Sequence, residues 1–123
     1  HASTTYCEVQ EDYSVVLNLS HMHYAGKQYE LHIVDAKDNI LKTLRKDEWS
    51  PEYTSHPPIS MFPMAEPLKL TKGMFLRQTC RWNNTTAEAL TFPREMCLTF
   101  MYHYPDSGDD VCFMQPQHPV LKK

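Results

Sequence analysis

Glycine is almost missing from this chain, with 3 in 123 residues, and none falls in a GxGxxG or GxSxG pattern. Phosphate-cradling loops and nucleophile elbows depend on closely spaced glycines, so neither chemistry has a footing here. Long apolar runs are missing too. None approaches the roughly 18 residues that a membrane-spanning helix requires, and no basic n-region with an apolar h-region opens the chain. Basic excess is absent: a formal net charge of −3 leaves no electrostatic footprint for nucleic acid or an acidic membrane surface. Internal repeats and low-complexity segments do not occur, and the Lys122-Lys123 end reads as a solvated tail.

What is present is globular composition, 41% hydrophobic and 22% charged, in a length that suits a single domain over residues 1–123 with one core. A first residue of His1 rather than Met suggests a mature product or an excised domain. The four cysteines, Cys7, Cys80, Cys97 and Cys112, form no CxxC pair of the kind zinc sites use, so disulfides are expected; four cysteines allow three pairings. Asn18, Asn83 and Asn84 each head an N-x-Ser/Thr sequon. With the cysteines, these candidate glycosylation sites place the chain in the secretory pathway or outside the cell.

The hydrophobic period is 2. From Tyr13 to His23 the odd positions are Tyr13, Val15, Leu17, Leu19, His21 and His23, which reads as the inner face of a strand whose outer face carries Asn18. YELHIV at 29–34 and ILKTL at 40–44 follow as further strands of a meander. Five prolines between 51 and 67 mark a long loop or an edge. LKL at 68–70, Lys72-Gly73 and MFLRQTCRW at 74–82 read as a hairpin. In the segment 96–104, Met96, Leu98, Phe100, Tyr102 and Tyr104 share one face. No helix is required, and the expected fold is an all-β antiparallel sandwich, jelly-roll-like, with an immunoglobulin-like Greek key as the alternative.

The segment SHMHYAGKQ at 20–28 stands out. Residues two apart on a strand point to one side, so His21 and His23 can present two imidazoles to one ion. The same pair also fits two ordinary polar residues at a strand end.

The HxH followed by the small-residue turn Tyr24-Ala25-Gly26, the later Glu95-Met96-Cys97 leading into LTFMYHYP, and the WSPEY segment at 49–53 together resemble one family. It is the copper type II, ascorbate-dependent monooxygenases, which include peptidylglycine alpha-hydroxylating and dopamine beta-monooxygenases. The likeness is to their C-terminal catalytic domain and runs from about Cys7 to Cys112. It implies that His21, His23 and Met96 bind one copper and serve as the catalytic ligands, with ascorbate and dioxygen as co-substrates. A thioether favours Cu(I), imidazole serves both oxidation states, and three protein ligands leave a position open. The resemblance also implies Cys7–Cys112 and Cys80–Cys97 disulfides.

Two departures bear on function. Where the peptide-amidating members hold a substrate carboxylate with arginine, asparagine and tyrosine, this chain has Leu19, Leu98 and Phe100, which offer no charge or donor. The family's electron-supplying copper domain has no counterpart in this length. Two readings follow: the oxygen-activating half of a monooxygenase, acting on a small molecule and completed by a second copper domain or redox partner, or a secreted stand-alone copper-binding or interaction domain without turnover. A weaker alternative metal site is His1, since an N-terminal histidine chelates copper in lytic polysaccharide monooxygenases. His32, His56, His103 and His118 read as surface or hydrogen-bonded residues, with His103 near the copper if its strand twists. Glu95 reads either as support for the metal site or as a solvated carboxylate.

Overall fold

A computed structural model describes residues 1–91, 94–105 and 115–121; Cys112 and the Lys122-Lys123 end lie outside them. Among the described residues eight strands follow in order: β1 (Ala2–Glu8), β2 (Tyr13–His21), β3 (Gly26–Val34), β4 (Ile40–Glu48), β5 (Ile59–Met61), β6 (Leu68–Leu70), β7 (Phe75–Trp82) and β8 (Leu98–Tyr104). They form two antiparallel sheets. One has the order β1-β7-β3-β4; in the other, β2 pairs with β8 on one edge and with β5 and β6 in succession on its other edge. The expected antiparallel sandwich is what the chain forms. Among the described residues the only helical segment is a 3₁₀ turn, Pro51–Thr54, and no helix is long and apolar enough to cross a membrane.

The sheets pack through Val15, Met22 and Leu68 on one side and Tyr29, Leu31, Leu76 and Cys80 on the other, with Trp49 beneath them. Alternation explains the membership. In β6, Leu68 and Leu70 are buried and Lys69 is exposed. β3 and β4 do form a hairpin, whose turn uses Asp38 at φ 65° and the Asp35 carboxylate as acceptor for the Lys37 and Asn39 N–H groups.

Three local expectations fail, and each for a physical reason. β2 and β3 are not neighbours in a meander, because the turn after His23 carries the chain from one sheet to the other. Likewise the Lys72-Gly73 turn does not close a hairpin: β6 pairs with β2, whereas β7 lies between β1 and β3. Third, the inner face of β2 changes partway along. Val15 points inward at 1% exposure, but a bulge between Val15 and Leu17 shifts the register against β8, and a one-residue shift reverses every later side chain. Asn18, Ser20 and Met22 therefore face the interior, while Leu17, Leu19 and His21 are only half-buried. Asn18 is not on the outer face. Its Nδ2 donates to Thr99 Oγ1 at 2.8 Å and to the Phe100 carbonyl at 3.0 Å, which leaves no room for a glycan in the folded chain.

Gly26 is the tightest point of the crossing. A Cβ there would stand 2.7 Å from Cδ1 of the buried Trp49 ring, and 3.1 Å from both the His23 carbonyl and Met22 Cε. Gly26→Ala should therefore destabilise the domain by about 1–3 kcal/mol through overpacking, read by urea or thermal unfolding. At Gly73, where φ is +94° and a Cβ meets nothing, alanine should cost about 1 kcal/mol from backbone strain alone. Equal unfolding midpoints for Gly26→Ala and the wild type would contradict the packing argument.

Candidate metal centre

His21 ends β2, and His23 lies two residues on, in the turn that Gly26 N–H closes on the His23 carbonyl at 3.0 Å. The two imidazoles stand edge to face with ring centroids 4.9 Å apart. Burial, and then the neighbouring His23, hold His21 below the ordinary histidine pKa, with Glu95 acting in the opposite sense. The neutral ring that a metal requires is thereby favoured.

His23 is oriented by its own hydrogen bond. Nδ1 lies 2.9 Å from the Arg94 carbonyl, and a carbonyl can only accept, so Nδ1 carries a proton and, in the neutral ring, Nε2 holds the lone pair. This is the arrangement that fixes tautomer and direction in metal-ligating histidines.

Met96 lies two residues before β8. β8 sets Leu98 opposite His21, and just beyond the paired residues the backbone N–H groups of His23 and Met96 both end on Glu95 Oε1, at 2.7 Å and 3.2 Å. Cys97, next to Met96, is bonded to Cys80 of the central strand β7, as the resemblance implied. Bridging a separation of 17 residues, this link contributes about 3 kcal/mol by the chain-entropy estimate. The other implied pairing, Cys7–Cys112, has one end outside the described residues.

Glu95 is buried at 8% exposure, so it is not a solvated carboxylate. It accepts N–H groups from His23 at 2.7 Å, Ala25 at 3.2 Å and Met96 at 3.2 Å. Of the two readings open for Glu95, the buried one holds; the sequence could not choose between them, because a glutamate before a methionine carries no burial signal.

Beside Met96 lies a cavity of about 500 Å³ whose apolar wall is Trp82, Leu90, Met96 and Leu98, within the usual range for small-molecule sites. On the outer face of the second sheet, Leu19 lies between Phe100 and Ile59, and Leu17 between Tyr102 and Met61. Ile59, Met61, Phe100 and Tyr102 are 48–77% exposed. His21 thus adjoins an uncharged, apolar and aromatic surface.

The other candidates separate from this centre. His1 stacks on Trp82 at 5.7 Å and borders the cavity, but among the described residues no three His, Cys, Asp or Glu side chains converge on one point. His103 packs on Tyr13 at 4.4 Å; it lies opposite Val15, about 17 Å along the strand from Leu98 at 3.4 Å per residue, so the twist does not bring it to the HxH pair. His32 bonds Thr43, His118 bonds the Asp35 carbonyl, and His56 is exposed. Asn83 and Asn84 are exposed. The donor set that remains, two imidazoles and a thioether, suits copper: it is soft enough for Cu(I) and holds nothing that would prefer calcium or magnesium.

The His23 geometry has a direct readout. ¹⁵N NMR of the metal-free protein above neutral pH should show His23 as the Nδ1–H tautomer, and His21 should titrate below the ordinary histidine value. An Nε2–H tautomer at His23 would remove the basis for its orientation.

No curated protein and no solved structure gives a significant match. The family model described as copper type II ascorbate-dependent monooxygenase, C-terminal domain, matches residues 1–123, and the chain belongs to that family.

Proposed function

We propose that this domain binds one copper through His21, His23 and Met96 and is the oxygen-activating half of a monooxygenase that hydroxylates a substrate C–H bond. The observation that carries the reading is the His23 ring, turned by the Arg94 carbonyl so that Nε2 is left for a metal, with the Met96 backbone tied to the same Glu95 oxygen as that of His23. Bound there, copper would supply the redox chemistry that combines dioxygen, ascorbate-derived electrons and substrate. The chain's own residues do the rest. The two imidazoles offer neutral nitrogen donors, the thioether biases the site toward Cu(I), and three ligands leave room for oxygen.

Leu19, Leu98 and Phe100 give the substrate an apolar wall with no donor or charge. A substrate anchored by its carboxylate, such as a peptidylglycine, is not what this surface fits. The second electron-supplying copper comes from another domain or a redox partner, and the exposed face formed by Ile59, Met61, Phe100 and Tyr102 is compatible with such contact. That same face favours the second reading, a secreted copper-binding or interaction domain without turnover. The Cys80–Cys97 disulfide supports a secretory location under either reading, with Asn83 and Asn84 as the exposed sequons.

The test is copper stoichiometry and affinity for both oxidation states. The wild type should bind one copper, Met96→Ala should weaken Cu(I) by roughly tenfold or more while sparing Cu(II), and His21→Ala/His23→Ala should lose both. Binding that survives both changes overturns the site. Ascorbate- and oxygen-dependent hydroxylation in the presence of a second copper domain separates the enzyme from the binding module.

A further inference from the structure

Three backbone N–H groups end on a single buried carboxylate. Glu95 Oε1 accepts from His23 at 2.7 Å and from Met96 at 3.2 Å, and Oε2 accepts from Ala25 at 3.2 Å. Charge-assisted bonds of this kind are stronger than neutral ones, and an ionised carboxylate is acceptor-only, so all three donors can be served at once. Its donors lie 70 and 72 residues away in the HxH turn and 1 residue away in its own segment, just before β8. The carboxylate is therefore a cross-link between two chain segments, and each segment carries a candidate copper ligand.

We propose that Glu95 is a positioning residue, which sets the spacing between the His23 imidazole and the Met96 thioether before metal arrives and thereby sets the affinity for Cu(I). This rests on the copper reading above. One oxygen holds the backbone nitrogens of both ligand-bearing residues, so neither segment shifts without stretching a charged hydrogen bond. The Arg94 carbonyl on His23 Nδ1 belongs to the adjoining residue, so ring direction and backbone position are set by one short segment. Without the carboxylate the thioether swings free of the imidazoles. A soft ligand that is no longer held in place binds Cu(I) less well, while the imidazoles still serve Cu(II).

The experiment compares Glu95→Gln with the wild type. The amide is nearly the same size but keeps one acceptor oxygen and turns an NH₂ toward an N–H donor. Cu(I) affinity by chelator competition should fall about 10–100-fold, the usual range for partners that orient a metal's ligands. X-ray absorption of the Cu(I)-loaded variant should show a weakened sulfur contribution. A merely structural role would lower the unfolding midpoint and leave the sulfur signal of the loaded protein unchanged. On a Met96→Ala background the effect of Glu95→Gln on Cu(I) should largely vanish, since coupled residues are not additive. Should Glu95→Gln lack the native near-UV circular dichroism, Glu95→Asp, with the charge kept one methylene short, carries the same comparison.

A folded Glu95 variant with wild-type Cu(I) affinity and sulfur signal overturns the proposal, as do additive effects with Met96→Ala. Either result leaves the copper reading intact. Loss of that reading shows separately, as a wild type that binds no copper or binds it without His21 and His23.

Discussion

The bulge in β2 decides what this domain can do. By giving β2 one extra residue between Val15 and Leu17, it reverses the inside and outside of everything after it. Upstream, Val15 anchors the core; downstream, Met22 enters the core and His21 comes to the outer face. An unbulged strand would send His21 into the space between the sheets, where a charged or metal-bound ring has no solvent and no substrate. Bulges bend a strand and re-aim side chains, and they concentrate next to functional sites for that reason. The cost is a polar interior on this side: Asn18 and Ser20 are buried at 1% and 0%.

That cost is partly offset by partners from several strands. Asn18 donates across to β8, while its carbonyl receives Arg45 Nη1 at 3.4 Å. Arg45, itself buried, is held by Asp47 at 2.8 Å and Ser60 Oγ at 2.8 Å. Deeper in the core the Tyr29 hydroxyl donates to Gln78 Oε1 at 2.6 Å, and Gln78 Nε2 donates to the Cys97 carbonyl at 3.1 Å. Burial pushes the Tyr29 phenol well above its ordinary pKa, so it remains a donor at any physiological pH. The chain of bonds ends one residue from Met96, and the Cys80–Cys97 link ends there too. The segment that carries Met96 is thus fixed from the core side by a disulfide and a polar relay, and from the side of the HxH turn by Glu95.

Much of this was readable in the residues, and the limits of reading have identifiable causes. Alternation gave the strands and the all-β sandwich, because a half-buried strand writes its period directly into the sequence. It misassigned the faces of β2, since a bulge adds one residue without any marker beyond the unbroken Val15-Val16-Leu17 run. Strand partners were less legible still. The Lys72-Gly73 turn looks like a hairpin turn, yet whether a turn joins neighbours in one sheet or crosses to the other depends on where the apolar faces find cover. The HxH pair and Met96 were visible through motif order, and Glu95 stood beside them with two readings open, since its partners are backbone N–H groups that no residue pattern marks. The Arg94 carbonyl was not visible, because every residue possesses one.

The electrostatic character of the site follows from the same arrangement. Among the described residues, those in register beside His21 on the outer face are uncharged: Leu98, then Leu19 with Phe100 and Ile59, then Leu17 with Tyr102 and Met61. The carboxylate of Glu95 is turned inward onto peptide N–H groups, so its charge serves geometry rather than recognition. A surface of this kind contributes binding energy in proportion to apolar area and gives little orientation, because dispersion and hydration forces are non-directional. Under the proposed hydroxylation, orientation of a substrate C–H bond would have to come from shape, with the 500 Å³ cavity beside Met96 in one direction and the aromatic face in another. Selectivity here would rest on fit and on the exclusion of charge, since burying an unpaired carboxylate against leucine and phenylalanine costs far more than the contacts return.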